Sequence, residues 1–183
     1  RLGKIHLSNA LRLTPTAEAR QALHAFTDDT YLHQVVQRSA DGSLRRFTAT
    51  VDADFEAVMR ACGDPRRPHG WIDENFVGAY TELHRRGWAH SVEVWEDDRL
   101  VGGVYGVSIG AFFAGESMFH RATDASKAAL VHLTDRFAHV EHALFDVQWL
   151  TPHLASLGAV EIPRSEYLTR LASAVARPVD PFS

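Results

Sequence analysis

Residues 91–118 read SVEVWEDDRLVGGVYGVSIGAFFAGESM, three apolar runs separated by two short breaks. The runs are Ser91 to Trp95, Leu100 to Ile109 and Phe112 to Met118. Their β-branched and aromatic content predicts three strands. The first break, Glu96-Asp97-Asp98-Arg99, is an acidic turn, and the second is Gly110-Ala111. A two-residue loop with glycine first suits a type II′ turn, which needs a positive φ at that position, so the last two strands are expected to be antiparallel neighbours.

Working outward from this meander, Phe47 to Val51 has strand character. Asp54 to Cys62 places Phe55, Val58, Met59 and Cys62 on one helical face, and Gly63-Asp64-Pro65 stops it. A second helix is predicted over Asp73 to Arg86, with Phe76, Val77, Tyr80 and Leu83 inward and Gly87 as its C-terminal cap. Downstream, Ser126 to His139 reads as a helix with Ala129, Leu130, Leu133 and Phe137 as its apolar stripe. Leu144 to Gln148 reads as a strand, Thr151 to Leu157 as a short helix, and Val160 to Ile162 as a last strand. Pro163 opens a final helix through Tyr167, Leu168 and Leu171, since proline suits the first helical turn. Before residue 47 the signals are a helix over Ala17 to Phe26 and a turn at Ala40-Asp41-Gly42-Ser43. The expected class is α+β, with helices packed over a mostly antiparallel sheet. This element order is that of N-acetyltransferase-type (GNAT-like) acyltransferases. Residues 1–46 are read as a divergent N-terminal segment and 47–183 as the catalytic domain.

The bulk properties narrow the function. The 183 residues, 45% of them hydrophobic, suffice for a substantial core. Neither a membrane-length apolar run nor a leader pattern after Arg1 is visible, which predicts a soluble protein. The single Cys62 rules out an intrachain disulfide and a zinc-thiolate centre, and it is compatible with a reducing cytoplasm. A net charge of -4 supplies no global attraction to nucleic acid, so any such contact must be local. His139 and His142 lie three apart without a His-Glu-x-x-His helix or a carboxylate cluster, so no metal is expected.

Asp146 and Gln148 are two apart on a predicted strand, which puts both side chains on one face. Together they could accept hydrogen bonds from an attacking amine, or they could make ordinary strand-end hydrogen bonds; spacing alone does not choose. The apolar side chains of the helix stripe and strands likewise suit plain core packing as well as a cavity.

Several stretches taken in order carry a resemblance. Gly70-Trp71-Ile72, His90-Ser91-Val92-Glu93-Val94-Trp95, Leu100 to Val107, Gly115-Glu116-Ser117-Met118-Phe119, Asp124-Ala125-Ser126-Lys127, Asp146-Val147-Gln148, His153 to Ala159 and Ile162-Pro163-Arg164 resemble the leucyl/phenylalanyl-tRNA-protein transferase family across roughly residues 47 to 171. The resemblance implies an enzyme that moves leucine, phenylalanine or methionine from its tRNA ester to a protein N-terminus beginning with Arg or Lys, marking that protein for degradation through the N-degron pathway. It implies a GNAT-like domain, no cofactor, a cytoplasmic location and action as a monomer. It places Asp146 and Gln148 at the reacting centre, and Val104, Phe113, Leu130, Leu133, Phe137 and Phe145 around the aminoacyl side chain; Glu116, grouped with the catalytic residues, is the candidate to anchor the aminoacyl amine or ribose, with a partnered structural carboxylate as the alternative. Trp71, Ser117 and Lys127 then face the tRNA 3′ end, with Arg121 and Arg164 as further candidate phosphate contacts. An aminoacyl ester is already activated, so such an enzyme has to hold ester and amine and manage one proton. An α-amino group titrates at about 7.7 to 8, so an acceptor that favours its attacking form is useful.

The chain departs from the family pattern ahead of residue 47. The Trp-Trp-Ser-Pro-Asp-Pro-Arg stretch is missing, and the segment expected to be a basic helix reads Leu32 to Leu44 with little positive charge. Binding of the tRNA body is therefore expected to be weak, or supplied by Arg45, Arg46, Arg66 and Arg67. Two alternatives follow from this departure: a related synthase with a small-molecule amine as acceptor, and a non-catalytic module that binds a tRNA end or a degron. An acyl-CoA acetyltransferase is disfavoured, because His120-Arg121-Ala122-Thr123-Asp124-Ala125 lacks the glycines of a pyrophosphate loop.

Overall fold

The computed structural model describes residues 10–12, 34–38, 44–67 and 70–183, with side chains from residue 47 onward. The helix expected over Ala17 to Phe26 and the turn at Ala40 to Ser43 lie outside the described residues. The strands are β1 (Ala10–Arg12), β2 (Gln34–Arg38), β3 (Leu44–Val51), β4 (Ala89–Glu96), β5 (Arg99–Ile109), β6 (Phe112–His120), β7 (Leu144–Asp146) and β8 (Val160–Ile162). The helices are α1 (Phe55–Cys62), α2 (Glu74–Arg85), α3 (Ala125–Arg136), α4 (Pro152–Ser156) and α5 (Arg164–Val175). Strands β2 to β7 form one sheet in sequential order, antiparallel from β2 through β6, with β7 joining β6 in parallel. Strands β1 and β8 make a separate antiparallel pair. The molecule is thus α+β with a mostly antiparallel sheet and packed helices.

Alternation along β5 assigns the two faces of the sheet. Val104 joins a core with Phe47, Val92, Phe113, Leu130, Leu133, Phe137 and Phe145 beneath α3. Its neighbour Tyr105 joins Phe55, Val58, Met59, Val77 and Phe119 beneath α1 and α2. Phe113, Phe137 and Phe145 are each at most 1% exposed, and each fully buried side chain of this kind contributes about 1.5–3 kcal/mol. Glu93, wholly buried on β4, accepts from Thr50 Oγ1 at 2.6 Å and Ala53 N at 3.1 Å, which ties the turn between β3 and α1 to the sheet.

Gly110 has φ +59, the positive value that the hairpin loop calls for, and a Cβ there would come within 2.5 Å of Arg177 O. Gly106 matters differently. A Cβ at this position would lie 2.1 Å from Ala114 O and 2.5 Å from Phe113 Cζ, beside the register shift between Tyr105 and Gly106. Its absence lets the Phe113 ring lie against β5.

Several boundaries differ from the sequence reading. Asp54 and Asp73 are N-caps rather than helical residues, with Asp54 accepting from Ala57 N and Asp73 from Asn75 N and Phe76 N. Phe76 was expected inward but is 39% exposed, edge-on to Trp71 at 5.2 Å, because α2 covers the sheet with a stripe narrower than its apolar pattern suggests. Helix α3 begins one residue early and ends at Arg136, with Phe137 as its cap. Pro163 caps α5 from outside instead of opening it. Most consequential, β7 stops at Asp146: Asp146 Oδ1 captures the backbone N–H of Gln148 at 2.8 Å, and Gln148 adopts a left-handed φ of +62. That local turn removes Gln148 from the ladder.

Candidate functional site

Strands β6 and β7 pair only as far as Ala114 and Asp146. Beyond that point β6 continues as Gly115, Glu116, Ser117 and Met118 while the chain after β7 turns away, and a pocket of about 350 Å³ opens between them. Val104, Phe113, Leu130, Leu133, Phe145 and Leu154 line its apolar depth. Glu116, Ser117, Asp146, Gln148, Thr151 and Arg67 supply its polar surface, with Trp149 at 73% exposure beside them. A mostly apolar recess with a few convergent polar groups is the usual form of a small-ligand site.

Hydrogen bonds fix the polar edge. Tyr167 Oη donates to Asp146 Oδ2 at 2.7 Å while Gln148 N donates to Oδ1, so both carboxylate oxygens of Asp146 are engaged. Gln148 Nε2 donates to Glu116 Oε2 at 3.2 Å, and the Tyr80 hydroxyl donates to the same carboxylate. Burial raises the pKa of Glu116, the neighbouring charge of Asp146 adds to the rise, and the bonds from Gln148 and Tyr80 oppose it. Tyr80 is pushed up to about 12, first by burial and then by Glu116. With Nε2 given to Glu116, Gln148 keeps its Oε1 as an acceptor. Asp146, Gln148 and Glu116 therefore do converge, but through a turn rather than the shared strand face that the sequence suggested.

The remaining site expectations distribute as follows. Five of the six apolar positions line the pocket; Phe137 stands behind it, fully buried, with its ring 4.6 Å from that of Phe145 and 6.2 Å from that of Phe113. Ser117 lines the pocket and also hydrogen-bonds with Cys62 below. Trp71 is 45% exposed and does not line it. Lys127 lines a neighbouring hollow instead, in an ion pair with Asp124 at 2.5 Å. Arg121 lies 5.3 Å over the Phe119 ring and donates to Leu100 O. Cys62 is buried, and burial pushes its thiol up to about 11, which disfavours the thiolate.

The sequence reading assigned no part in the site to Tyr167, Trp149, Thr151, Leu154 or to Tyr80's contact with Glu116. No motif announces them: Trp149, Thr151 and Leu154 come from the segment that leads into α4 and from α4 itself, Tyr167 from α5 and Tyr80 from α2. It also missed a cluster in which Asp52, His84 and His90 bring possible metal-ligand atoms within 4.8 Å of one another. There His90 Nδ1 bonds Asp52 Oδ2 at 2.7 Å, His84 Nδ1 bonds Ala89 O at 2.9 Å, and the rings stack on Phe182 and Phe55. These contacts brace the entry to β4 against the end of β3.

The sequence matches known proteins over most of its length. Residues 24–172 match the protein-family model described as leucyl/phenylalanyl-tRNA protein transferase. A leucyl/phenylalanyl-tRNA–protein transferase from Cereibacter sphaeroides is 47% identical over 183 residues, covering 91% of this chain and 81% of that protein. Proteins of the same name from Ruegeria pomeroyi and Paramagnetospirillum magneticum are 51% and 52% identical, covering 76% and 77% of this chain and 67% and 69% of their own lengths.

Proposed function

Because this chain belongs to the leucyl/phenylalanyl-tRNA–protein transferase family, we propose that it transfers leucyl and phenylalanyl groups from aminoacyl-tRNA to the N-terminus of an acceptor protein. The observation that carries this reading is the apolar pocket opening directly beside Glu116 and Gln148. The side chain of the aminoacyl group enters among Val104, Phe113, Leu130, Leu133 and Phe145, which leaves its ester carbonyl at the polar edge. The acceptor's α-amino nitrogen attacks that carbonyl, the ribose oxygen leaves, and an amide replaces the ester. Gln148 Oε1 accepts an N–H of the incoming amine, and the Glu116 carboxylate, whose pKa is raised by burial, takes the proton lost on attack and returns it to the leaving ribose oxygen. Asp146 holds the turn that aims Gln148, and Tyr167 holds Asp146.

Finer features belong to the same proposal. A methionyl group also fits an apolar recess of this kind, since pockets separate side chains differing by one methylene by only about 1–3 kcal/mol. The carboxylates of Glu116 and Asp146 at the edge favour an acceptor beginning with Arg or Lys. The antiparallel meander followed by a helix and then a strand parallel to β6 supports the N-acetyltransferase-like reading of residues 47–183, with 1–46 as a separate segment. Among the described residues no helix is long and apolar enough to cross a membrane, and a tRNA donor suits a cytoplasmic location. The test is transfer from Leu-, Phe- and Met-tRNA to peptides beginning with Arg, Lys or Ala. Labelled product with Arg and Lys alone is expected, whereas no product with any peptide would reject the assignment.

A further inference from the structure

Asp52 follows β3, His84 stands in the last turn of α2 and His90 lies on β4, and the three bring possible ligand atoms within 4.8 Å of one another. Asp52 Oδ2 is 2.7 Å from His90 Nδ1, and Asp52 Oδ1 is 3.7 Å from His84 Nδ1. These separations bracket the ~3.3 Å between ligand atoms set tetrahedrally at about 2.0–2.1 Å around zinc. We propose that Asp52, His84 and His90 bind a divalent transition-metal ion of the zinc type, through the Asp52 carboxylate and the two Nδ1 atoms, with water at a fourth position. None of the three lines the apolar pocket, so the ion would brace the fold apart from the transfer chemistry.

The surroundings orient the ligands in advance. His90 stacks on Phe182 with ring centroids 4.1 Å apart, and His84 stacks on Phe55 at 4.4 Å, which fixes both imidazoles. His90 Nε2 lies 3.2 Å from Gly87 O, and a ring N–H tied to a backbone carbonyl is the common outer-shell arrangement that leaves the other nitrogen to a metal. Asp52 Oδ1 accepts from Ser91 N at 2.8 Å, which holds the carboxylate in place. Because oxygens face both nitrogens of His90, its Nδ1 needs either a proton or a metal ion between itself and Asp52. A metal ion at that place displaces the ring protons to solvent and replaces the bond from His84 Nδ1 to Ala89 O. Two imidazoles and one carboxylate suit zinc and its neighbours, whereas magnesium and calcium call for oxygen donors throughout. Side-chain exposures of 24% at Asp52 and 26% at His84 leave a path for entry, against 10% at His90.

The experiment titrates zinc and cobalt(II) into the full chain, previously stripped with a chelator, and follows heat, melting temperature and the visible spectrum of cobalt. One ion per chain, a melting temperature that rises with zinc concentration and the intense absorption of four-coordinate cobalt are expected. In His84→Gln and Asp52→Asn the affinity is expected to fall by more than the roughly 10–100-fold that follows loss of an outer-shell partner. The chain holds eleven histidines, so unchanged binding in both variants places the ion elsewhere and overturns the proposal. A parent chain that binds neither metal leaves the cluster a proton-bridged brace and overturns it equally. Should a variant fail to fold, the ring resonances of the parent decide: His84 and His90 both shifting with zinc supports the site, and either ring unmoved rejects it. None of these readouts uses aminoacyl transfer, so the result stands whether or not the transferase reading does.

Discussion

Glu116 sits half-buried between a tyrosine, a glutamine amide and a second carboxylate, and these neighbours make opposite demands on its charge. Its pKa in the fold is raised above the ordinary carboxylate value, chiefly by burial. Between those two values the folded state binds more protons than the unfolded one, so this group's contribution to stability falls as pH rises through the window. Glu116→Gln keeps groups able to bond Gln148 and Tyr80 but removes the ionisation. The variant is expected to be at least as stable as the parent near neutral pH, by thermal melting, and to lose the associated pH dependence of melting. Its kcat is expected to fall by a factor on the order of 10² to 10⁴, the usual contribution of a positioned proton acceptor. A variant with parental kcat would remove Glu116 from the chemistry. Tyr167→Phe deletes only the hydroxyl that holds Asp146 Oδ2. Positioning predicts a lower kcat with KM little changed, together with a stability loss of about 1.5–3 kcal/mol for a hydrogen bond to a charged group. A stability loss with kcat intact would make that bond purely structural.

The strand hairpin and the helices were legible because their cues are local: β-branched and aromatic runs in β5 and β6, glycine at the Gly110 turn, apolar spacing in α1 and α2. What the sequence did not disclose depends on partners distant in the chain. The pairing of β8 with β1 and the exposure of Phe76 are set by where whole elements dock, which periodicity does not encode. The end of β7 is a different failure. Asp146 and Gln148 satisfy strand spacing, yet the Asp146 side chain outcompetes the ladder for the Gln148 N–H, and the left-handed turn that results is what brings Gln148 to Glu116. At this scale Gly106 offers a direct probe, because its missing Cβ leaves room for Phe113 and for β6. Gly106→Ala is expected to cost about 1–3 kcal/mol through overpacking. It should also weaken phenylalanyl transfer more than leucyl transfer by displacing Phe113 into the recess; equal loss with both donors would argue against that placement.

Across the whole molecule, five of the six apolar positions named from family resemblance line one pocket with Glu116, Asp146 and Gln148, and Phe137 stands behind it, though composition alone could not separate a pocket wall from a core. Phe137 illustrates why: it belongs to the same stripe as Leu130 and Leu133 but lies one layer deeper, with its ring against Phe145. A pocket and a core are built from the same side chains, and only the parting of β6 from β7 makes the difference. The central claim is that this parting receives an aminoacyl side chain with its reacting carbon at Glu116 and Gln148. A crystal structure of the chain bound to puromycin, a stable aminoacyl-nucleoside amide, tests it most directly. The account predicts the aromatic ring among Val104, Phe113, Leu133 and Phe145, with the amide carbon beside the Glu116 and Gln148 side chains. A ring left in solvent, or lodged elsewhere on the protein while that recess stays closed, would contradict it.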